Sequence, residues 1–241
     1  MRLGIIGYGR MGKIVEQIAI QRGHKIVSII DVGRNDKIIE EADCYIDFSV
    51  AEALGKNVNL LCELQVPVVI GVTGWNKNIN EYTQLFLNKK NVGIWSGNFS
   101  LGVNLFWKVI KQSTATFDKF ANEYDILLHE FHHKNKVDSP SGTAIQTANF
   151  ILNASSVKNE IITETLQRKR KDNELHVTST RGGAIPGTHT VIFDSNFDTV
   201  EITHTARSRE GFALGSVIAA EKINILKPGL HNFSEIFDTI I

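Results

Sequence analysis

Among 241 residues there are only two cysteines, Cys44 and Cys62, both in apolar segments and without C-x-x-C spacing. A disulfide framework is therefore not expected, and a reducing, cytoplasmic setting fits. Charge of one sign is also missing. Lys and Arg number 26, as do Asp and Glu, so the chain lacks the positive excess that a sequence-independent nucleic-acid binder needs to neutralise phosphates. No stretch approaches the roughly 18 apolar residues of a spanning helix, which argues against a membrane protein. A charged n-region with a cleavage site is absent too, since Met1 to Gly7 read directly as a buried strand. The acceptor patterns at Asn98, Asn153 and Asn232 then carry no glycosylation meaning. There is no internal repeat or low-complexity segment. The basic run from Arg168 to Lys171 reads as a solvated loop before a strand.

What is present is an ordinary globular composition, 42% apolar and 22% charged, in a chain long enough for one large domain or two modest ones. Apolar runs at Arg2 to Ile6, Lys25 to Ile30, Cys44 to Phe48, Val66 to Ile70 and Gly93 to Ser96 read as strands. Between them Lys13 to Arg22, Ala51 to Leu64 and Ile79 to Asn88 have helical spacing. Strands alternating with helices predict a doubly wound parallel sheet, a Rossmann-type α/β fold. After Asn98 the texture changes. A long helix (Asn104 to Phe120), a strand (Tyr124 to Glu130) and a helix (Gly142 to Asn153) precede three alternating strands, Glu174 to Thr180, Gly187 to Asp194 and Thr199 to Ala206. This predicts a second α+β domain with an open mixed, mostly antiparallel sheet. A helix from Gly211 to Ile225 then returns the tail to the first domain. The division expected is 1–99 with 209–241 for dinucleotide binding, and 100–208 for substrate binding and oligomerisation.

The loop Gly7-Tyr8-Gly9-Arg10-Met11-Gly12 follows a strand and opens a helix. Gly7 permits the tight turn, Gly9 the approach of a pyrophosphate, and Gly12 close packing of helix on strand, with the helix N-terminus facing the anion. Asp31, nineteen positions after Gly12, closes the second strand where an acid accepts hydrogen bonds from ribose hydroxyls. Loops after the fourth and fifth strands, Gly71-Val72-Thr73-Gly74 and Ser96-Gly97-Asn98-Phe99, are placed to line the nicotinamide half. His129-Glu130-Phe131-His132-His133 formally matches the H-E-x-x-H zinc signature. The segment alternates as a strand, however, and in extended chain the outer histidines lie roughly 13 Å apart. No metal is expected. Just downstream, Asp138-Ser139-Pro140-Ser141-Gly142-Thr143 turns into a helix whose first amides suit a carboxylate. Lys136 adds a full charge, and a histidine beside it can donate a proton near neutral pH.

At this point the segment from Glu130 to Ala144 closely resembles the signature of the 4-hydroxy-tetrahydrodipicolinate reductase (dihydrodipicolinate reductase) family, which has a Glu, a His pair, a Lys and Asp-x-Pro-Ser-Gly-Thr-Ala. Ordered matches run along the chain, among them Arg181-Gly182-Gly183, Gly187-x-His189 and Glu201-Ile202-Thr203-His204. The resemblance implies an NAD(P)H-dependent oxidoreductase of the lysine and diaminopimelate pathway, acting on a cyclic dicarboxylate and usually tetrameric. It implies His132 as catalytic acid and Lys136 as second proton-transfer and anchoring group. His133, Ser141, Gly142 and Thr143 become the carboxylate cradle, and Ser96, Gly97 and Phe99 neighbours of the nicotinamide. Ser139 stands where the family often has Ala, and Phe131 is unusual. Relatives that favour NADPH tend to place a basic residue right after the acid. Here Val32 and Gly33 follow Asp31, and Arg34 comes third, so NADH is expected to serve at least as well as NADPH. Another Rossmann dehydrogenase, or a nicotinamide-binding redox sensor without catalysis, would share the glycine loop but would have no need of the acid cluster.

Overall fold

The computed structural model describes residues 1–33, 37–38 and 41–240; Arg34 lies outside them. In chain order the elements are β1 (Arg2–Ile6), α1 (Arg10–Gln21), β2 (Lys25–Ile30), β3 (Cys44–Asp47), α2 (Ala51–Glu63), β4 (Val68–Ile70), α3 (Ile79–Asn88) and β5 (Val92–Trp95). Then come α4 (Leu101–Phe117), β6 (Asp125–His132), α5 (Gly142–Ala154), β7 (Glu160–Ile162), β8 (Glu174–Arg181), β9 (Thr188–Asp194) and β10 (Thr199–Thr205). The tail holds α6 (Glu210–Lys222), β11 (Gly229–Asn232) and α7 (Phe233–Ile240). The chain divides into two compact units, Met1–Leu101 with Arg209–Ile241, and Gly102–Ser208.

The first unit is a parallel sheet in the order β11-β5-β4-β3-β1-β2. Its strands are apolar on both faces, as burial between two helix layers requires. Side-chain alternation sends Leu3, Ile5, Cys44 and Ile46 to one core, with Val15 and Ala19 of α1 and Val217 and Ala220 of α6. Ile6, Tyr45, Val68 and Ile70 go to the other, with Leu54 and Val58 of α2 and Tyr82 and Phe86 of α3. The helix after the glycine loop starts at Arg10, earlier than the apolar spacing indicates, so Gly12 lies inside its first turn. The edge strand β11 has no sequence signature: four residues, Gly229–Asn232, pair with β5.

The second unit is a five-stranded sheet in the order β10-β9-β6-β8-β7. It is evenly mixed rather than mostly antiparallel, because β6 pairs β8 in parallel and β7 pairs β8 in parallel, while β9 runs antiparallel to both β6 and β10. The reason is α5, a crossover that carries the chain back to the starting end of β6 before the next strands begin. The three-residue β7 is too short to register as a periodic run. One sheet face packs on α4 and α5 through Phe106, Trp107, Ile110, Ala144, Ala148 and Ile151.

The basic run is the exposed loop before β8 that the sequence indicates, with both arginines engaged by acids. Arg168 donates to both carboxylate oxygens of the fully buried Glu174, and Arg170 pairs with Asp125, which also takes Lys158 at 2.6 Å. These residues tie the loop to the sheet; hydrogen bonds from Arg168 and the Lys171 amide hold the Glu174 carboxyl down at about 2. A cavity of about 530 Å³ beside this network is lined by Tyr124, Asp125, Lys158 and Arg170 among others.

Candidate active site

In the first unit the glycine loop connects β1 to α1. Gly7 has φ +84° and its amide donates to the Ile30 carbonyl at 2.8 Å. Any Cβ there would lie 2.6 Å from the backbone of Phe48 and Ser49, so only glycine fits both the conformation and the space. Gly12 is closer still: a Cβ would come 2.2 Å from the Gly7 carbonyl oxygen. Gly9 is exposed, caps α1 without any side-chain hydrogen bond, and has open space where a side chain would project. No acidic residue stands in the first turn, and Arg10 is exposed beside it. Amides left without a capping side chain at a helix N-terminus, behind a glycine that admits close approach, fit a nucleotide pyrophosphate. Met11 is half-buried against the core, and Asp31 directly follows β2, half-exposed.

The two loops expected on the nicotinamide side divide by exposure. Thr73 and Gly97 are exposed. Gly71 is half-buried with its amide bound to the Asp47 carbonyl, and Val72 is 5% exposed in the core. The Ser96 hydroxyl is turned onto Asn98, accepting from its amide and donating to its carbonyl. Phe99 is 2% exposed, its ring 4.9 Å from Phe233, so its side chain belongs to the hydrophobic core. Sequence reading passed over Asp47, Phe48 and Ser49 at the end of β3. Asp47 is fully buried and holds the Ser49 amide and the Asn57 side chain, while the Phe48 ring lies where a side chain at Gly71 would be. Their sequence signal is a place at the carboxyl end of a strand.

In the second unit the site grows from β6. Its alternation buries Ile126, Leu128, Glu130 and His132 and exposes Leu127 and Phe131. The segment matching H-E-x-x-H is thus a strand, with His129 on the face opposite Glu130 and His132. Register then sets Glu130 between His189 of β9 and Ser179 of β8, and His132 beside Arg181. The Glu130 carboxylate is completely buried. Oε1 accepts from the Ser141 amide (2.8 Å), the Ser179 hydroxyl (2.9 Å) and Arg181 Nη2 (2.8 Å). Oε2 accepts from the Ser141 hydroxyl, with His132 Nδ1 at 3.2 Å and His189 Nε2 at 3.4 Å. Burial alone would raise this carboxyl, yet the bonds from His189, Ser141 and Arg181 outweigh it and hold the group well below the usual carboxylate range.

His132 is 6% exposed, and burial pushes its imidazole down to about 4 against the pull of Glu130. Lys136 Nζ sits 2.8 Å from Asp138 Oδ1, and the Gly142 amide also reaches the Asp138 carboxylate, which lies low as a result. Arg181 bridges the loop to the strand by donating to the Asp138 carbonyl at 2.6 Å as well as to Glu130. Ser141 caps α5, its hydroxyl accepting from the Ala144 amide. Its own amide and hydroxyl proton are both taken by Glu130, and it is 2% exposed. Gly142 is exposed and Thr143 half-exposed at the helix start; His133 is half-buried, with no partner for Nδ1 among the described residues. Glu130, His132 and His189 bring ligand-type atoms within 4.8 Å of one another. A cation there would have to displace the Ser141 hydroxyl and sit beside the Arg181 guanidinium, so the arrangement suits proton handling better than metal binding. Arg181 and His189 stood in the sequence only as parts of matching motifs.

The model of the family described as "Dihydrodipicolinate reductase, N-terminus" matches residues 1–99, and that described as "Dihydrodipicolinate reductase, C-terminus" matches residues 102–237. The chain belongs to the dihydrodipicolinate reductase family. It is 38% identical to the 4-hydroxy-tetrahydrodipicolinate reductase of Christiangramia forsetii over 100% of this chain and 99% of that one. It is 36% identical to the reductase of the same name from Archaeoglobus fulgidus, over 99% and 100%. Among solved structures, the dipicolinate-bound dihydrodipicolinate reductase of Paenisporosarcina sp. TG-14 has the same fold, with a TM-score of 0.79 at 21% identity over 98% and 99%. Family and Rossmann-like sheet together imply a nicotinamide cofactor.

Proposed function

We propose that this chain reduces 4-hydroxy-tetrahydrodipicolinate to tetrahydrodipicolinate in lysine and diaminopimelate biosynthesis. Full-length similarity to reductases of that name supports the reading. The observation that carries it is the cluster at the start of α5, where a buried histidine, a lysine and the helix N-terminus meet beside one buried carboxylate. The glycine loop Gly7, Gly9, Arg10, Met11 and Gly12 would hold the nucleotide phosphates and Asp31 a ribose, with exposed Thr73 and Gly97 nearest the ring. The reduced nicotinamide supplies the hydride.

In the second unit the division of labour follows from charge and exposure. Lys136 and the Gly142 amide share the Asp138 carboxylate in the free protein. A substrate carboxylate would take the place of that internal anion, with Thr143 and His133 beside it. Ser141 is committed to Glu130, so its part is to set the helix start, and direct contact with substrate falls to its neighbours. His132 delivers the proton. Burial keeps it neutral in the free protein; the negative charge of an arriving dicarboxylate favours the imidazolium and loads the acid as substrate binds.

Asp31 is half-exposed at the end of β2, and the carboxylate of an acid there accepts ribose hydroxyls while repelling a 2′-phosphate. NADH therefore serves at least as well as NADPH. The outer face of the second sheet carries Leu127 and Phe131, both exposed, beside the half-buried Ile192. An apolar strip across an open sheet supports a homotetramer assembled through this unit. Two free, buried thiols agree with a cytoplasmic place.

The test follows the fall in reduced-nicotinamide absorbance with 4-hydroxy-tetrahydrodipicolinate generated in the cuvette. Turnover is expected, with competition by pyridine-2,6-dicarboxylate. His132→Ala should lower turnover by about 10²–10⁴-fold and leave cofactor affinity unchanged. Wild-type turnover in that variant would refute the assignment of the acid, and no turnover by the wild type would refute the function.

A further inference from the structure

We infer that Glu130 is a positioning residue for the reaction: it fixes His132 with Nδ1–H turned inward, so that Nε2 is the atom that delivers the proton. This rests on the reading of His132 as the acid. The lone pairs of one carboxylate point to it. Oε1 already accepts three hydrogen bonds, whereas Oε2 accepts that of the Ser141 hydroxyl and has His189 Nε2 farther off, at 3.4 Å. A carboxylate oxygen takes two donors readily, and the imidazole nitrogen nearest the open side of Oε2 is His132 Nδ1, at 3.2 Å.

Nδ1 of His132 is buried and its direction is too far off Oε2 for a formed hydrogen bond in the free protein, nor has it any other partner among the described residues. If Nδ1 were bare, its lone pair would face a carboxylate oxygen across that distance. If it carries the proton, a small rotation of the ring completes a charge-assisted bond. Catalytic hydrogen bonds are often misaligned before the ligand arrives. The other end of the ring is arranged to match. A Cβ at Gly187 would lie 2.9 Å from His132 Nε2, so glycine at this position leaves that atom its room. The His189 ring meets His132 edge-on at 5.2 Å and 74°, which restrains the ring plane.

The remaining groups around the pair work against a free carboxyl proton. Arg181 approaches from β8, His189 from β9 and Ser141 from the start of α5, while Lys136 and Asp138 lie on the connecting loop. His204, half-buried on β10, stands opposite His189 in register. Among these, Glu130 is the one fully buried anion, and the fixed donors keep it ionised throughout the working range of His132. Burying a carboxylate with this many partners gains little for stability over an apolar replacement; the charge has a use when an imidazolium forms beside it.

The experiment uses the full chain labelled with ¹⁵N-histidine, His132 being assigned by its loss in His132→Gln. In the free protein at pH 7 the ring should be the Nδ1–H tautomer. With oxidised nicotinamide nucleotide and pyridine-2,6-dicarboxylate added, both nitrogens should be protonated. An Nε2–H tautomer in the free wild type overturns the proposal, and this result needs neither a variant nor activity. In Glu130→Gln, which keeps the shape and removes the charge, the alkaline limb of the kcat profile should move down by about one pH unit or more. Its kcat at pH 7 should fall at least tenfold while KM for the cofactor stays within twofold. Glu130→Asp, which keeps the charge, should retain the position of that limb. An unshifted limb in a folded Glu130→Gln also overturns the proposal. Wild-type protein with the expected tautomer but no turnover would instead remove the functional reading and leave the tautomer claim standing.

Discussion

Gly9 and Gly12 are two glycines of one loop whose replacement by alanine should produce opposite signatures. At Gly12 the added Cβ would stand 2.2 Å from the carbonyl oxygen of Gly7, against about 3.4 Å for ordinary contact. The start of α1 must therefore move off β1 by about 1.2 Å, in a layer where Val15 and Ala19 are already fully buried. Overpacking of this kind costs about 1–3 kcal/mol, partly offset by the better helix propensity of alanine, worth up to about 1 kcal/mol. For a chain of this size each kcal/mol shifts Tm by about 2–4 °C, so Gly12→Ala should lower Tm by several degrees. At Gly9 the same methyl group meets nothing within 4 Å, and φ of −74° suits alanine. Only the weaker capping preference opposes the change, on the order of 1 kcal/mol or less. The methyl group does fill the surface where a pyrophosphate must approach the uncapped amides. Gly9→Ala should therefore keep nearly its full Tm and yet bind NADH at least about tenfold more weakly, some 1.4 kcal/mol. Scanning calorimetry and titration of reduced-nicotinamide fluorescence measure the two quantities separately. A Gly9→Ala protein with affinity within about twofold of wild type would refute the placement of the phosphates, and an unchanged Tm in Gly12→Ala would refute the packing argument.

Comparison of kcat/KM for the two cofactors at low salt should find NADH used at least as well as NADPH. An NADPH preference above about tenfold that disappears in Arg34→Ala would place control of the site with that arginine instead of Asp31. Phe131→Glu puts a charge on the open sheet face and should reduce a tetramer to smaller species in light scattering coupled to gel filtration; an unchanged mass would rule out that face. Stability should fall in acid. His132 is lowered from 6.5 to about 4, so the unfolded chain binds the proton first and a penalty grows as pH drops through that window, to the order of 3 kcal/mol. His129 and His204 are lowered by burial in the same sense, and Glu130, held low, adds its own loss at still lower pH. Melting temperature should therefore decline from pH 7 to pH 4, less steeply in His132→Gln; equal slopes in the two proteins would contradict the buried, neutral histidine.

Local sequence determined the parts whose hydrogen bonds close nearby. The strand-glycine-helix opening is legible because Gly7, Gly9 and Gly12 answer to one turn and one helix start, and α3 runs over Ile79–Asn88 as its apolar spacing indicates. The capped start of α5 is legible for the same reason, since Ser141 and the Ala144 amide are three residues apart. Decisions that depend on strand register were left to the tertiary structure. Glu130 reads as one acid in a motif until β8 brings Ser179 and Arg181, 49 and 51 residues downstream, onto the same oxygen. The bond of Ser141 to that same carboxylate and the packing of the Phe99 ring on Phe233 likewise appear only in the folded chain. The basic run from Arg168 to Lys171 is legible as an exposed loop before a strand, but its partners Glu174 and Asp125 are not. Periodicity reports which face of an element is apolar, but a one-residue slip in pairing would exchange every partner. The residue types needed for the chemistry can therefore be read along the chain, whereas their hydrogen-bond assignments exist only once the strands are aligned.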